Sequence, residues 1–152
     1  LLDFWMPRIT ALGNSGIVWV VAAIVLLCTK KYRRYGVMLL GNLTLKNLFA
    51  RPRPCWLDES VPLLIARPSD YSFPSGHTMA GAIGATILTA ADRRFGWAAI
   101  PLAVLIAFSR LYLYVHFPSD VLGGAVLGVG IGLLMLYGER RIAGRCKHRP
   151  LQ

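Results

Sequence analysis

Three ionisable side chains, Arg110, His116 and Asp120, lie within eleven residues between two apolar segments. Charged groups beside a hydrocarbon layer are costly and usually functional. Pro118 can start a helix, which places Asp120 in the first turn, where a carboxylate is favoured. Asp120 can then accept from Nδ1–H of His116 and leave Nε2 as a nucleophile. An isolated histidine near a membrane interface is the alternative.

A second cluster, Pro74-Ser75-Gly76-His77, has the composition of a helix start that binds an anion. Ser75 is a natural N-cap, and Gly76 allows a ligand to approach the backbone N–H groups. The helix dipole and these N–H groups favour negative charge, with His77 held beside it. The motif is short, so an ordinary capped helix start is an equal alternative.

A third cluster of bases extends from Lys46 to Pro54 and contains Arg51 and Arg53. Prolines after Arg51 and Arg53 prevent the helix from continuing, so the chain can bring Arg53 back beside Lys46. The alternative is that the bases extend from a membrane edge towards water. That alternative accounts well for Arg51 and less well for Lys46, because four further residues separate Lys46 from the loop.

The composition favours a membrane protein over a soluble or nucleic-acid-binding one. Of the 152 residues, 55% are hydrophobic, the mean hydropathy is +0.52, and 17 Lys and Arg against 7 Asp and Glu give a net charge of +10. The bases lie in short groups between apolar runs, which is typical of basic loops between membrane spans. The three cysteines have no metal-binding or disulfide spacing.

Apolar runs predict an all-α integral membrane bundle with about five transmembrane helices in a single domain, 1–152. A buried soluble core is the alternative, but it would leave too little polar surface to cover the runs. Residues at about 1–14 are expected to form an interfacial segment, and 144–152 a basic tail. Gly124, Gly128 and Gly132 form a face for close helix packing. The predicted spans are 16–29, 35–50, 77–91, 95–115 and 119–137.

The bases also predict an orientation. Most of them fall on one side of the predicted bundle, which the positive-inside rule assigns to the cytoplasm. The three clusters then lie on the opposite side. Five spans place the termini on opposite sides, so we expect the native gene to encode one further span upstream. The bases on the cytoplasmic side are Lys30, Lys31, Arg33, Arg34, Arg93, Arg94, Arg140, Arg141, Arg145, Lys147 and Arg149.

Taken together, the clusters read Lys-x6-Arg-Pro, Pro-Ser-Gly-His and Ser-Arg-x5-His-x3-Asp, in this order and on one predicted membrane side. This pattern resembles the type 2 phosphatidic acid phosphatase superfamily, which includes bacterial prenyl-diphosphate and phosphatidylglycerophosphate phosphatases. The motifs span Lys46 to Asp120, about half of the chain, and every motif residue is present. Relatives commonly have six spans, in agreement with the expected upstream span.

The resemblance implies a mechanism. His116 would attack phosphorus and form a phosphohistidine, Asp120 would orient His116, and His77 would protonate the leaving oxygen. No metal or other cofactor would be required, because cations of the chain neutralise the phosphoryl oxygens. The phosphate-binding groups would be Lys46, Arg53, Arg110 and the backbone at Ser75 and Gly76.

The expected substrate is a lipid phosphate or diphosphate at the outer face of a bacterial-type inner membrane. Undecaprenyl diphosphate is slightly favoured over phosphatidylglycerophosphate and phosphatidic acid, because it forms on that face. The expected partners are therefore this substrate and the bilayer, without nucleic acid; the oligomeric state is not predicted. A lipid phosphotransferase of the same fold and a non-enzymatic scaffold or transporter subunit remain alternatives. A haloperoxidase is disfavoured, since that activity belongs to soluble relatives.

Overall fold

A computed structural model describes residues 1–13, 21, 22, 24, 25, 28 and 51–147, with side chains as far as residue 141. Within these ranges the chain is helical and contains no strand, as expected. The predicted spans at 16–29 and 35–50 lie largely or wholly outside the described residues. The helices are α1 (Leu2–Leu12), α2 (Pro54–Leu57), α3 (Gly76–Ala91), α4 (Arg93–Tyr112) and α5 (Pro118–Lys147).

Helices α3 and α5 pack in parallel through the glycine face that the sequence predicts. A Cβ on Gly124 would lie 2.7 Å from the carbonyl oxygen of Ser75, and one on Gly128 would lie 2.6 Å from that of Met79. Gly132 approaches Thr86 one turn further on. The prediction of a close packing face on α5 is therefore confirmed, and it holds the first turns of the two helices together.

Helix α4 returns antiparallel to α3 after a one-residue connection. Asp92 ends α3 and begins α4, where its Oδ1 accepts from the N–H of Arg94 at 2.9 Å. Gly96 lies against Thr89, and Ile106 is buried near the other end of α3. The basic pair after α3 and the bases near the end of α5 thus lie at the opposite end of the bundle from Gly76 and Pro118.

Two described helices are long and apolar enough to cross a membrane. They are α4, with 20 residues, and the segment Pro118–Arg141 of α5, with 24 residues. Both expose large apolar side chains, and most of their surface is not buried in the bundle. Because α3 has 16 residues and two predicted spans are not described, the five-span count stays a prediction. The exposed residues include Trp97, Ile100, Val104, Leu122, Val126 and Leu134.

Both ends of the chain differ in detail from the expectation. Helix α1 lies where an interfacial segment was predicted and exposes Phe4 and Trp5, but it also buries Met6 and Thr10 against the bundle. At the other end, α5 continues as a helix to Lys147, into the segment predicted as a tail. The N-terminal segment is therefore part of the packed structure.

Candidate active site

Hydrogen bonds join the three sequence clusters at one end of the bundle. Nη1 of Arg53 lies 3.0 Å from Nε2 of His116, which joins the first cluster to the third. The backbone N–H of Ser75 donates to the carbonyl oxygen of Asp120 at 3.1 Å, which joins the second cluster to the third. Lys46 lies outside the described residues. The three clusters thus meet at Arg53, Ser75, His116 and Asp120.

Arg53 is almost completely enclosed, with 1% of its surface exposed. Its Nε donates to the carbonyl oxygen of Asp70 at 2.6 Å, and its Nη2 donates to Oδ1 of the same residue at 2.6 Å. Nη1 donates to the carbonyl oxygen of Val115 at 2.8 Å. Because Asp70 compensates its charge from the loop side, Arg53 can remain buried beside His116.

The contact with Arg53 indicates which tautomer of His116 fits the site. A guanidinium group only donates hydrogen bonds, so Nε2 of a histidine at 3.0 Å must be the acceptor. In the neutral imidazole the proton then resides on Nδ1. The buried His116 ring therefore directs the Nε2 lone pair towards Arg53.

Asp120 is completely buried and accepts from four groups. Its Oδ1 accepts from Nη1 of Arg51 at 2.8 Å, which is also an ion pair. Its Oδ2 accepts from the hydroxyl of Ser72 at 2.5 Å and from the N–H of Phe117 at 2.8 Å, and its main-chain carbonyl accepts from Ser75.

The predicted direct hydrogen bond from His116 to Asp120 is wrong in its geometry. Nδ1 of His116 lies 3.7 Å from Oδ2 of Asp120, which is too long for a hydrogen bond. The reason is that Ser72 and Phe117 already occupy this oxygen, and Ser72 lies closer to Nδ1, at 3.5 Å. The two residues remain neighbours as expected, but Ser72 lies between them.

The helix start at Ser75 also differs from the prediction. Ser75 is the N-cap residue of α3, but its side chain does not bond to the helix backbone. Its Oγ accepts from the hydroxyl of Thr78 at 3.0 Å, because Ser75 is fully buried against α5. The N–H of Ser75 is used by Asp120, so N–H groups at Gly76 and in the turn that follows are better placed for an anion.

The polar residues Asp70, Ser72 and Arg51 contact predicted site residues, although the sequence reasoning gave them no role in the site. Asp70 and Ser72 lie in an irregular loop with no periodic pattern, so only their polarity could have pointed to them. Arg51 was interpreted as a base at the membrane edge, but it pairs with Asp120 and its side chain remains 40% exposed.

In the loop that contains Asp70 and Ser72, the hydroxyl and N–H of Ser60 hold the pKa of Asp58 below its usual range.

The remaining predicted residues, Arg110 and His77, lie against α1. Arg110 is 4% exposed and donates from Nη1 to the hydroxyl of Thr10 at 2.6 Å. Its Nε is buried and has no hydrogen-bond partner within the described part of the chain. His77 is half-buried, and its ring packs on Gly13 at the end of α1. Helix α1 therefore forms one wall of the site.

A model of the PAP2 superfamily matches residues 16–142, and the chain therefore belongs to this superfamily. This confirms the resemblance found in the sequence motifs. A similar curated protein is the undecaprenyl-diphosphatase of Sulfolobus acidocaldarius, which is 35% identical over 77% of this chain. The chain spans 61% of the length of that relative.

Two solved structures have the same fold. LpxE of Aquifex aeolicus has a TM-score of 0.75 and 33% identity, and the match covers 90% of this chain and 86% of the other. A transmembrane PAP2 type phosphatidylglycerolphosphate phosphatase of Bacillus subtilis has a TM-score of 0.68 and 30% identity, covering 93% and 78%. With the apolar helices α4 and α5, these similarities indicate a membrane location.

Proposed function

We propose that this protein is a phosphatase that hydrolyses a lipid phosphate or diphosphate through a phosphohistidine at His116. The observation that carries the proposal is the buried His116, whose Nε2 faces a guanidinium and whose Nδ1 faces Ser72 and Asp120. Family membership and the names of the relatives support the same activity. Undecaprenyl diphosphate is the favoured substrate, because the Sulfolobus relative is named for it.

In the first step, the Nε2 lone pair of His116 forms a bond to phosphorus while the bond from phosphorus to the leaving oxygen breaks. For a diphosphate the leaving group is the lipid monophosphate. His77, at the first turn of α3, gives its proton to the leaving oxygen. Nδ1–H of His116 stays in place, and the imidazole ring becomes positively charged next to the buried Asp120.

Cations and N–H groups neutralise the phosphoryl oxygens during this step. Arg53 and Arg110 are both buried at the site, where a fixed charge acts more strongly than in water. Arg53 turns a donor from Nε2 of His116 to the entering phosphoryl group, which frees the lone pair for attack. Gly76 at the start of α3 and Lys46 complete the phosphate-binding set, and Ser75 holds this helix start against Asp120.

In the second step, water attacks phosphorus as His77 accepts its proton. The bond from phosphorus to Nε2 breaks, the electron pair returns to His116, and inorganic phosphate leaves. Since protein cations stabilise the charge throughout, the reaction proceeds without a metal ion.

The site is proposed to face the outer side of the membrane. It lies at the end of the bundle where α3 and α5 begin, while Arg93, Arg94, Arg140 and Arg141 lie at the other end. Short basic segments next to spans favour the cytoplasmic side. An inner-membrane protein with this orientation would meet its lipid substrate at the periplasmic or outer surface.

The test is phosphate release by the purified protein in detergent with EDTA present, using undecaprenyl diphosphate, phosphatidylglycerophosphate and phosphatidic acid. We expect release from at least one lipid, fastest from undecaprenyl diphosphate. His116→Ala should lose at least about 1,000-fold in rate, because the covalent step is removed. A folded His116→Ala protein with normal turnover, or a strict need for magnesium, would contradict the mechanism; transfer to a second lipid without phosphate release would indicate a phosphotransferase.

A further inference from the structure

Ser72 has a position in the site that its sequence context does not reveal. Ser72 is fully buried, and its backbone N–H donates to the carbonyl oxygen of Arg51 at 2.8 Å. Its hydroxyl oxygen lies 2.5 Å from Oδ2 of Asp120 and 3.5 Å from Nδ1 of His116. Nδ1 of His116 itself lies 3.7 Å from Oδ2 of Asp120. Ser72 therefore contacts both members of the pair that the mechanism requires.

The direction of these hydrogen bonds follows from the groups involved. A carboxylate only accepts, so the single hydroxyl proton of Ser72 points to Asp120. The lone pairs of the Ser72 oxygen then face Nδ1, which carries the proton because Nε2 accepts from Arg53. The result is a chain in which His116 donates to Ser72 and Ser72 donates to Asp120.

We propose that Ser72 is a positioning residue that couples His116 to Asp120 through this chain. The inference rests on the proposed function, since it assigns the orienting of His116 to a hydroxyl held by Asp120. The contact at 3.5 Å is long, but hydrogen bonds of catalytic groups often shorten only during the reaction. As His116 becomes positively charged, the Nδ1–H bond to Ser72 strengthens, and Asp120 polarises the hydroxyl further.

Ser109 provides a matched comparison. It is as completely buried as Ser72, but its hydroxyl donates to the carbonyl oxygen of Ile106 within α4 at 2.7 Å. Loss of the Ser109 hydroxyl removes one buried hydrogen bond, and loss of the Ser72 hydroxyl removes its bond to Asp120 and the long contact with His116. Ser109→Ala therefore controls for the loss of a buried hydroxyl as such. Only Ser72 lies between two groups of the reaction, so only its loss should change the chemical step.

The experiment is a double-mutant cycle on phosphate release from the lipid that the wild type hydrolyses fastest. Ser72→Ala should lower kcat about 10- to 100-fold with KM changed less than about threefold. Ser109→Ala should keep kcat within about twofold of the wild type. In an Asp120→Asn background, Ser72→Ala should cost less than about threefold, because two residues acting through one chain are not additive.

Separate outcomes distinguish the two proposals. An inactive wild type would reject the proposed function itself. If the wild type is active, two results would overturn the role of Ser72. One is an unchanged kcat in Ser72→Ala. The other is an equally large effect of Ser72→Ala in the Asp120→Asn background. Thermal unfolding identifies a variant that fails to fold. If Ser72→Ala does not fold, Ser72→Cys replaces it, because its side chain has nearly the same size and a weaker donor. Ser72→Cys should lose several-fold in kcat, and an unchanged kcat would overturn the inference.

Discussion

The two sides of the site differ in how fully their polar groups are bonded. On the Asp120 side, formed by Asp120, Ser72 and Arg51, both carboxylate oxygens are occupied by donors. On the Arg110 side, formed by Arg110, Thr10, His77 and Gly13, the buried guanidinium has one bond to Thr10, and its Nε has no partner in the described structure.

From this difference we infer that the groups on the Asp120 side are fixed before substrate binds and that substrate completes the bonding on the Arg110 side. A bonded carboxylate is rigid and suits the orienting of a nucleophile. A buried guanidinium whose Nε has no hydrogen-bond partner among the described residues can still donate to an anion. We therefore propose that the Asp120 side positions the nucleophile and that the Arg110 side binds the phosphoryl group. Substitutions on the two sides should separate these roles.

Among substitutions on the two sides, the largest effect is expected from Arg110→Met, which removes the cation but keeps an unbranched, flexible side chain. The rate kcat/KM should fall about 100- to 1,000-fold, because the loss of one charged donor to a developing anion has this magnitude. Inhibition by orthovanadate, a phosphate analogue, should weaken as well. Steady-state phosphate release at several lipid and vanadate concentrations measures both.

Thr10→Val is the matched control for this substitution. It removes the hydroxyl that accepts from Nη1 of Arg110 at 2.6 Å and leaves the cation in place. The loss in kcat/KM should stay below about tenfold, since one hydrogen bond is lost and the charge is kept. If Arg110→Met were no worse than Thr10→Val, the binding role of the guanidinium would be refuted.

Gly13→Ala should have the next largest effect, through His77. A Cβ at Gly13 would lie 2.6 Å from Cδ2 of His77 and 2.9 Å from Cγ2 of Ile106. The backbone of Gly13 is right-handed, with φ of −85°, so alanine fits the conformation and only the space is changed. Displacing a proton donor by a few tenths of an ångström to 1 Å should lower kcat about 10- to 100-fold.

A control for this prediction exists in α5. Gly138 has no atom within 4 Å of its would-be Cβ, so Gly138→Ala should keep the wild-type rate. Comparison of kcat and of thermal unfolding for both variants separates a displaced His77 from a general loss of stability. Equal rates in Gly13→Ala and Gly138→Ala would show that α1 does not position this histidine.

How far the sequence predicts this molecule depends on the kind of residue. Residues in helical segments follow a period, so the face of Gly124, Gly128 and Gly132 could be predicted from spacing alone. Arg53, His116 and Asp120 could be predicted as neighbours from motif chemistry. Asp70 and Ser72 could not, because an irregular loop has no repeat that fixes where a side chain lies.

Some residues that the sequence did identify have a different environment in the structure, because tertiary contacts bury or pair them. Arg51 has the polarity and location of a base that extends into water, yet its pairing with Asp120 depends on a residue 69 positions away. In the same way, the N-terminal segment has the aromatic composition of an interfacial helix. Its Thr10 is nevertheless buried in a contact with Arg110, which lies 100 positions further along the sequence. Local patterns contain no information on such distances.

The smallest expected effect tests the helix pair that supports both sides of the site. Gly128 and Gly130 lie two residues apart in α5 but have different surroundings. A Cβ on Gly128 would lie 2.6 Å from the carbonyl oxygen of Met79, whereas a Cβ on Gly130 would have no atom within 4 Å. Gly130→Ala should raise stability by about 0.5–1 kcal/mol, because alanine loses less entropy in a helix. Gly128→Ala should lower it by about 1–3 kcal/mol, since α3 and α5 must separate. Thermal unfolding in one detergent compares the pair, and equal shifts for both variants would mean that close approach of these helices does not stabilise the site.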